Sequence, residues 1–339
     1  MIGRIPRWFL IVGIVTAPLG CDNVSWGGMS VSLQGPPGDS TGNPSAGGPG
    51  EEAPPRIEVG PLLFAGVREG DSAIVQPVGE IVEGSLAPLP GGPDGERLTE
   101  QLLRESLVPG RRFALFHGGS RVGTLTLSGR GELSRDYCTP RPRAAGRLEL
   151  LPSASEVARF LAMAETEGPE PSYESVEPLV PERLHRNAAQ NLAGRALNEL
   201  QAPWPRTLQD IRRDLQVFRL EGSRETAVAA TFTFRDQLEV GTPEEGAYAL
   251  FLLGEGDGSG FRRTFTWYRP VAEGGKGAPR LFSWMDWDGD GMDEILLEVF
   301  GVDTRWWAAL SRNQEGWSTV FQEPCGTPTS SRDTTRTTG

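Results

Sequence analysis

The sequence predicts an α+β protein built mostly of antiparallel sheet, and three observations carry that expectation. Short alternating or apolar runs, separated by turn residues, fill the chain from 57 to 152. Leu and Ala recur every fourth residue in one stretch between Pro181 and Pro203, the mark of a helix with one apolar face. Two similar strand-rich units then follow one another, aligned from Arg224 and from Met292.

The element-by-element reading begins with strands at Ala73 to Val82, Phe113 to Phe116, Arg121 to Leu127 and Gly146 to Leu151. His117-Gly118-Gly119-Ser120 is placed to connect two of them as a hairpin, and Leu98 to Leu107 reads as a single helix between strands. Ser155 to Glu165 reads as a helix with Val157, Phe160, Leu161 and Ala164 on one face. A longer helix begins after Pro181, with Leu184, Ala188, Leu192, Ala196 and Leu200 as its core stripe, and ends at Pro203 and Pro205. In the C-terminal part, Arg224 to Phe232 can be laid on Met292 to Phe300. Each is followed by an aromatic-bearing strand, Tyr248 to Leu253 or Arg305 to Leu310, then a turn, then a last strand, Phe261 to Tyr268 or Trp317 to Phe321. Units of three or four strands of this kind build propeller blades, so a two-unit, propeller-blade-like β domain is expected.

Composition bounds the function. A net charge of -12 works against nucleic-acid binding, which needs clustered Lys and Arg to release counterions from phosphates. Almost all positive charge is Arg; Lys276 is the one lysine. The first twenty residues read as a signal peptide, with Arg4 and Arg7 before a short apolar run from Trp8 to Thr16. Residues 21–56 are rich in Gly, Pro, Ser and acidic groups and bury almost nothing, as expected of a disordered tether, and the tail 327–339 reads the same way. Between them lie an N-terminal β-rich domain (57–152), a helical segment (153–213) and the C-terminal β domain (214–326).

Pro18-Leu19-Gly20-Cys21 resembles the lipobox of bacterial lipoproteins, although that family usually carries Leu where Pro18 stands. The resemblance implies lipid attachment at Cys21, membrane anchoring and a place in the cell envelope facing the periplasm or the exterior. With Cys21 so used, Cys138 and Cys325 are left as candidates for one disulfide in an oxidising compartment, the alternative being two free thiols.

The one segment that carries legible chemistry is Asp286-Trp287-Asp288-Gly289-Asp290-Gly291-Met292-Asp293-Glu294. Carboxylates stand at loop positions 1, 3, 5 and 9, a glycine at 6 permits a sharp bend, and a main-chain carbonyl is available at 7. Calcium takes six to eight oxygens, and a tightly coiled loop is what turns alternate side chains to one point. Crowded carboxylates with no Lys or Arg among them repel unless a cation neutralises them. An EF-hand would need Glu at position 12, which is Leu297, and flanking helices, whereas an apolar strand follows. The stretch from Phe282 to Gly301 instead resembles FG-GAP and VCBS-type repeats. That resemblance implies calcium held by Asp286, Asp288, Asp290, the Met292 carbonyl and the ninth position, Glu294, where the family more often has Asp.

Two further patterns point to hydrolysis and lack its context. Gly38-Asp39-Ser40-Thr41-Gly42 fits a nucleophile elbow, and Phe116-His117-Gly118-Gly119 looks like an esterase oxyanion segment. Ser40 lies in the tether, and the oxyanion segment follows the serine instead of preceding it. The sequence therefore favours a non-catalytic envelope or interaction protein with a structural calcium ion over a hydrolase. The alternative is a calcium-dependent surface module for a carbohydrate or protein ligand, using Trp284, Trp287, Trp306, Trp307 and Trp317 around the loop.

Overall fold

The computed structural model describes residues 56–167, 179–221, 223 and 225–326. The signal peptide, Cys21, Ser40, the tether up to residue 55 and the tail from 327 lie outside the described residues.

Eight N-terminal strands come first: β1 (Leu62–Glu69), β2 (Ser72–Val82), β3 (Ser85–Ala87), β4 (Arg112–His117), β5 (Ser120–Leu127), β6 (Glu132–Ser134), β7 (Arg141–Leu150) and β8 (Arg159–Ala164), with α1 (Gly92–Glu105) between β3 and β4. All pair antiparallel in the order β3-β2-β1-β8-β4-β5-β7-β6. A further pairing of β2 with β7 closes β1, β2, β7, β5, β4 and β8 into a barrel. Side chains of period two divide its strands. Leu62, Phe64, Phe113, Leu115, Phe160 and Ala162 fill the interior, where Leu98 and Leu102 of α1 join them. Leu63, Ala65, Ala114, Phe116, Leu161 and Met163 point outward and are buried as well.

That second burial explains one departure from expectation. Residues 155 to 165 do not form a helix; a short 3-10 turn (Pro152–Ala154) leads into β8, which continues the barrel beyond residue 152. Arg159-Phe160-Leu161-Ala162-Met163-Ala164 is apolar on both faces of a strand, so it carries no two-residue alternation to distinguish it from a buried helix.

After α2 (Arg183–Glu199) come two four-stranded antiparallel meanders. The first is β9 (Arg212–Phe218), β10 (Ala227–Phe234), β11 (Tyr248–Gly256) and β12 (Phe261–Pro270). The second is β13 (Ala278–Met285), β14 (Glu294–Phe300), β15 (Arg305–Asn313) and β16 (Gly316–Gln322). Their identical strand order matches the internal repeat, with β9 and β13 each leading the aligned strands.

The second meander lies between the barrel and the first. Leu296, Trp307 and Ala309 pack on the barrel's outer residues. Leu281, Ile295, Leu297, Val299 and Leu310 pack on Ala227, Ala229, Phe251 and Leu253 of the first meander. Burial on both faces is why β14 reads as an unbroken apolar run. The outer face of the first meander is covered by α2.

The helix buries His185, Ala189, Leu192, Ala193, Ala196 and Leu197, while Leu184 and Leu200 are exposed. The expected stripe is therefore corrected at both ends. A strict four-residue repeat advances about 40° per step on a helix of 3.6 residues per turn, so Leu184 and Leu200 cannot share the face centred on Leu192.

Polar ties join the layers. Cys138, in the β6 to β7 connection, and Cys325, just after β16, lie at disulfide distance, with Cα atoms 6.3 Å apart across 187 positions of sequence. Beside them Arg141 and Glu323 form a buried ion pair. Glu298 on β14 accepts from Tyr137 Oη at 2.8 Å and pairs with Arg280 and Arg305.

Candidate metal centre

The acidic loop connects β13 to β14, so its ends are fixed by adjacent, hydrogen-bonded strands. Its backbone coils tightly because Gly289 and Gly291 both take positive φ, 81° and 85°, a region open to glycine without steric cost. Asp286 organises the turn. Its Oδ1 accepts from the N–H groups of Gly289 at 2.5 Å and Asp290 at 3.2 Å, and its Oδ2 accepts from Gly291 N–H at 2.8 Å. Asp288 Oδ1 accepts from Asp290 N–H, and Glu294 Oε2 reaches back across the loop to Trp287 N–H at 3.1 Å.

The outcome is a convergence of three carboxylates. One oxygen from each of Asp286, Asp288 and Glu294 lies within 4.8 Å of the others. Asp290 does not join them: its Oδ1 is turned to cap the Met292 N–H at 2.8 Å. Met292 follows in the coil with its side chain exposed. Glu294, the first residue of β14, is drawn into the group because a strand residue at that point faces back under the loop.

Electrostatics make the cluster costly on its own. Glu294 is 3% exposed, and burial, with Asp288, Asp286 and Asp290 adding repulsion, pushes its carboxyl up to about 8. Burial also raises Asp288, where the Asp290 and Asp286 charges act in the same direction. Among the described residues, no Arg, Lys or His forms an ion pair with any of these side chains. The oxygen-only donor set, its spacing and the missing counter-charge all fit a hard divalent cation.

The surroundings of the loop come from far away in sequence. Gly84, in the β2 to β3 turn, sits so close that a Cβ there would stand 3.1 Å from Asp288 Cβ. Gly119, in the β4 to β5 turn, donates its N–H to Trp284 O at 3.1 Å, and a Cβ on it would stand 3.3 Å from Asp293 Oδ1. Asp293 is buried, accepts from Glu221 N–H at 2.6 Å through Oδ2 and leaves Oδ1 without a partner. Burial pushes this carboxyl up to about 6. Sequence reasoning passed over Asp293, since it stands at an off-period position of the loop, and nothing local signals that the β4 to β5 turn closes over it.

The other candidates separate. His117 and His185 are in different layers. His117 ends β4, donates from Nδ1 to Arg159 O at 2.9 Å and lies against Trp284, while His185 Nδ1 accepts from Glu182 N–H in a capping box that opens α2. Trp284, Trp287, Trp306, Trp307 and Trp317 are at most 8% exposed. They pack in the two inter-sheet cores and offer no face to a sugar, so the expected recognition surface around the loop does not form from them. A cleft of about 570 Å³ meets only Trp284 among the five, together with His117, Ser155, Arg159 and Gln216. No protein-family model, curated protein or solved structure matches the chain.

Proposed function

We propose that this chain is an exported lipoprotein, tethered to a membrane of the cell envelope through Cys21, whose Asp286 to Glu294 loop takes one structural calcium ion. The observation that carries the metal reading is the gathering of Asp286, Asp288 and Glu294 oxygens within 4.8 Å, with Glu294 buried and no basic partner among the described residues. Asp286, Asp288 and Glu294 would hold the ion, with Asp290 and the Met292 carbonyl as the remaining donors that the FG-GAP and VCBS resemblance implies. A bound calcium ion supplies positive charge that neutralises these carboxylates and fixes the loop.

The protein's own residues set what that charge does. Asp286 shapes the coil through three N–H groups, Glu294 as the first residue of a fully buried strand holds the start of the loop through Trp287 N–H, and the Gly84 and Gly119 turns carry the barrel up against it. A neutralised loop therefore stabilises the junction of barrel and second meander. The role is structural and the protein non-catalytic, an envelope or interaction component. Cys138 and Cys325 form a disulfide in the oxidising compartment that export provides.

Titration calorimetry with CaCl₂ on chelator-stripped protein tests the metal. Saturable heat at a stoichiometry near one, abolished by Asp288→Ala, is expected; no heat with the unaltered chain removes the calcium reading. Radiolabelled palmitate tests the anchor, with incorporation lost in Cys21→Ser.

A further inference from the structure

The tryptophans around the acidic loop are all hidden, which makes one other tryptophan stand out. Trp204 is 52% exposed, the one exposed tryptophan among the described residues. It follows α2 in the sequence Pro203-Trp204-Pro205, where the flanking prolines restrict the backbone. Its indole Nε1 donates to Asn198 Oδ1 at 3.2 Å. Its Cη2 lies 3.6 Å from the place a Cβ on Gly194 would occupy. Gly194 and Asn198 are one helical turn apart, so the ring lies along α2 over a position without a side chain. The segment is anchored from beneath as well, because Tyr248 Oη donates to Pro203 O at 3.0 Å. An indole held in this way loses little freedom on meeting a ligand.

The ring borders an open cleft of about 720 Å³ whose other walls include Gln190, Asn191, Asn198, Thr207 and Gln209, with Arg195 and Leu208. A second cleft, of about 640 Å³, shares Asn191 and Arg195 with the first and continues past Asp257 and Ser259. The two form a groove along the exposed side of α2: side-chain amides and hydroxyls surround Trp204 in the first cleft, and Glu199, Asp257, Phe261, Arg262 and Arg263 join Asn191 and Arg195 in the second.

That chemistry selects a ligand class. Amide side chains place a donor and an acceptor side by side, which matches adjacent hydroxyls. An indole face packs on the apolar C–H face of a ring without asking for charge. A peptide helix would need a continuous row of apolar anchors; beside Trp204 only Leu208 lines the first cleft, and Leu184, Leu192 and Phe261 lie apart from them in the second. A nucleic acid is disfavoured by the net charge of -12. We propose that the α2 groove binds an oligosaccharide, one pyranose stacked on Trp204 with its hydroxyls bonded to Asn191 and neighbouring amides, and further sugars running on past Arg195. This site is separate from the acidic loop and does not rest on the calcium reading.

The test is an array of neutral and uronic-acid oligosaccharides probed with the tagged full chain in excess chelator, then titration calorimetry with the strongest binder. Binding is expected without calcium. Trp204→Ala is expected to weaken it about tenfold or more, Trp204→Phe less, and Asn191→Ala several-fold, all with unchanged melting temperature. A blank array with the unaltered chain overturns the proposal, and so does affinity held within about twofold in Trp204→Ala. Binding that chelator or Asp288→Ala abolishes would place the sugar at the acidic loop and overturn it equally.

Discussion

Lys276→Met isolates a buried charge at the join between the two meanders. Lys276 is the only lysine of the chain, and its Nζ lies 2.7 Å from Asp236 Oδ1, with both side chains at most 4% exposed. Nζ also donates to Gln237 O at 3.2 Å, so the loop after β10 is pinned to the segment just before β13. Methionine removes the cation and leaves the Asp236 carboxylate with one N–H donor, from Gln237 at 2.8 Å. Breaking a buried pair from one side costs about 3–5 kcal/mol, because the remaining charge is neither solvated nor paired. For a folded unit of this size each kcal/mol moves the melting temperature by about 2 °C, so a fall of about 6–10 °C is expected by circular dichroism. Removing both partners, as Lys276→Met with Asp236→Leu, is expected to recover most of the loss, since desolvation of both charges disappears together. A single variant melting within about 2 °C of the parent, or a double variant as unstable as the single, would refute the buried pair.

Truncations on α2 separate its two leucine environments: Leu192→Ala, in the core, is expected to cost about 2–5 kcal/mol, and Leu184→Ala, exposed, less than about 0.5 kcal/mol, by urea denaturation. Reducing the Cys138 to Cys325 link is expected to cost about 5 kcal/mol from the long loop it closes, and intact mass after alkylation with and without reductant reads the bond itself. Burial holds His117 below its ordinary value near 6.5, with the Arg159 charge acting the same way against the opposing backbone hydrogen bond. The unfolded chain then binds the proton first, so this contribution is present above pH 6.5 and is lost as pH falls through 6.5 toward the folded value. His117→Gln is expected to flatten that limb of the stability profile measured in denaturant from pH 7.5 to 5.5.

The parts legible in the sequence are those in which local pattern and burial agree. β2, β4 and β5 alternate or are bounded by turns, and Gly118-Gly119 adopts positive φ at both positions, as a two-residue hairpin requires. The two meanders were visible because their strands repeat in order. What stayed hidden depends on three-dimensional closure. Nothing in β2 or β7 announces that they pair to close a barrel. β8 lost its alternation because both faces are covered. The same holds at the candidate site: spacing located Asp286, Asp288 and Glu294, while the capping role of Asp290 and the approach of Gly84 and Gly119 follow from backbone coiling and barrel packing. The tryptophans near the loop in sequence face inward: Trp284, Trp306 and Trp307 sit on the largely buried strands β13 and β15, Trp287 follows β13, and Trp317 lies on the inward side of the edge strand β16.

Thermal unfolding of the full chain in excess calcium and in excess chelator, side by side, addresses the metal site most directly. At free calcium about a hundred times the dissociation constant, binding to the folded state alone adds about 2.7 kcal/mol, a rise of about 5 °C. Asp288→Ala should melt at one temperature in both conditions. Superimposable curves for the unaltered chain would contradict a calcium ion at Asp286, Asp288 and Glu294.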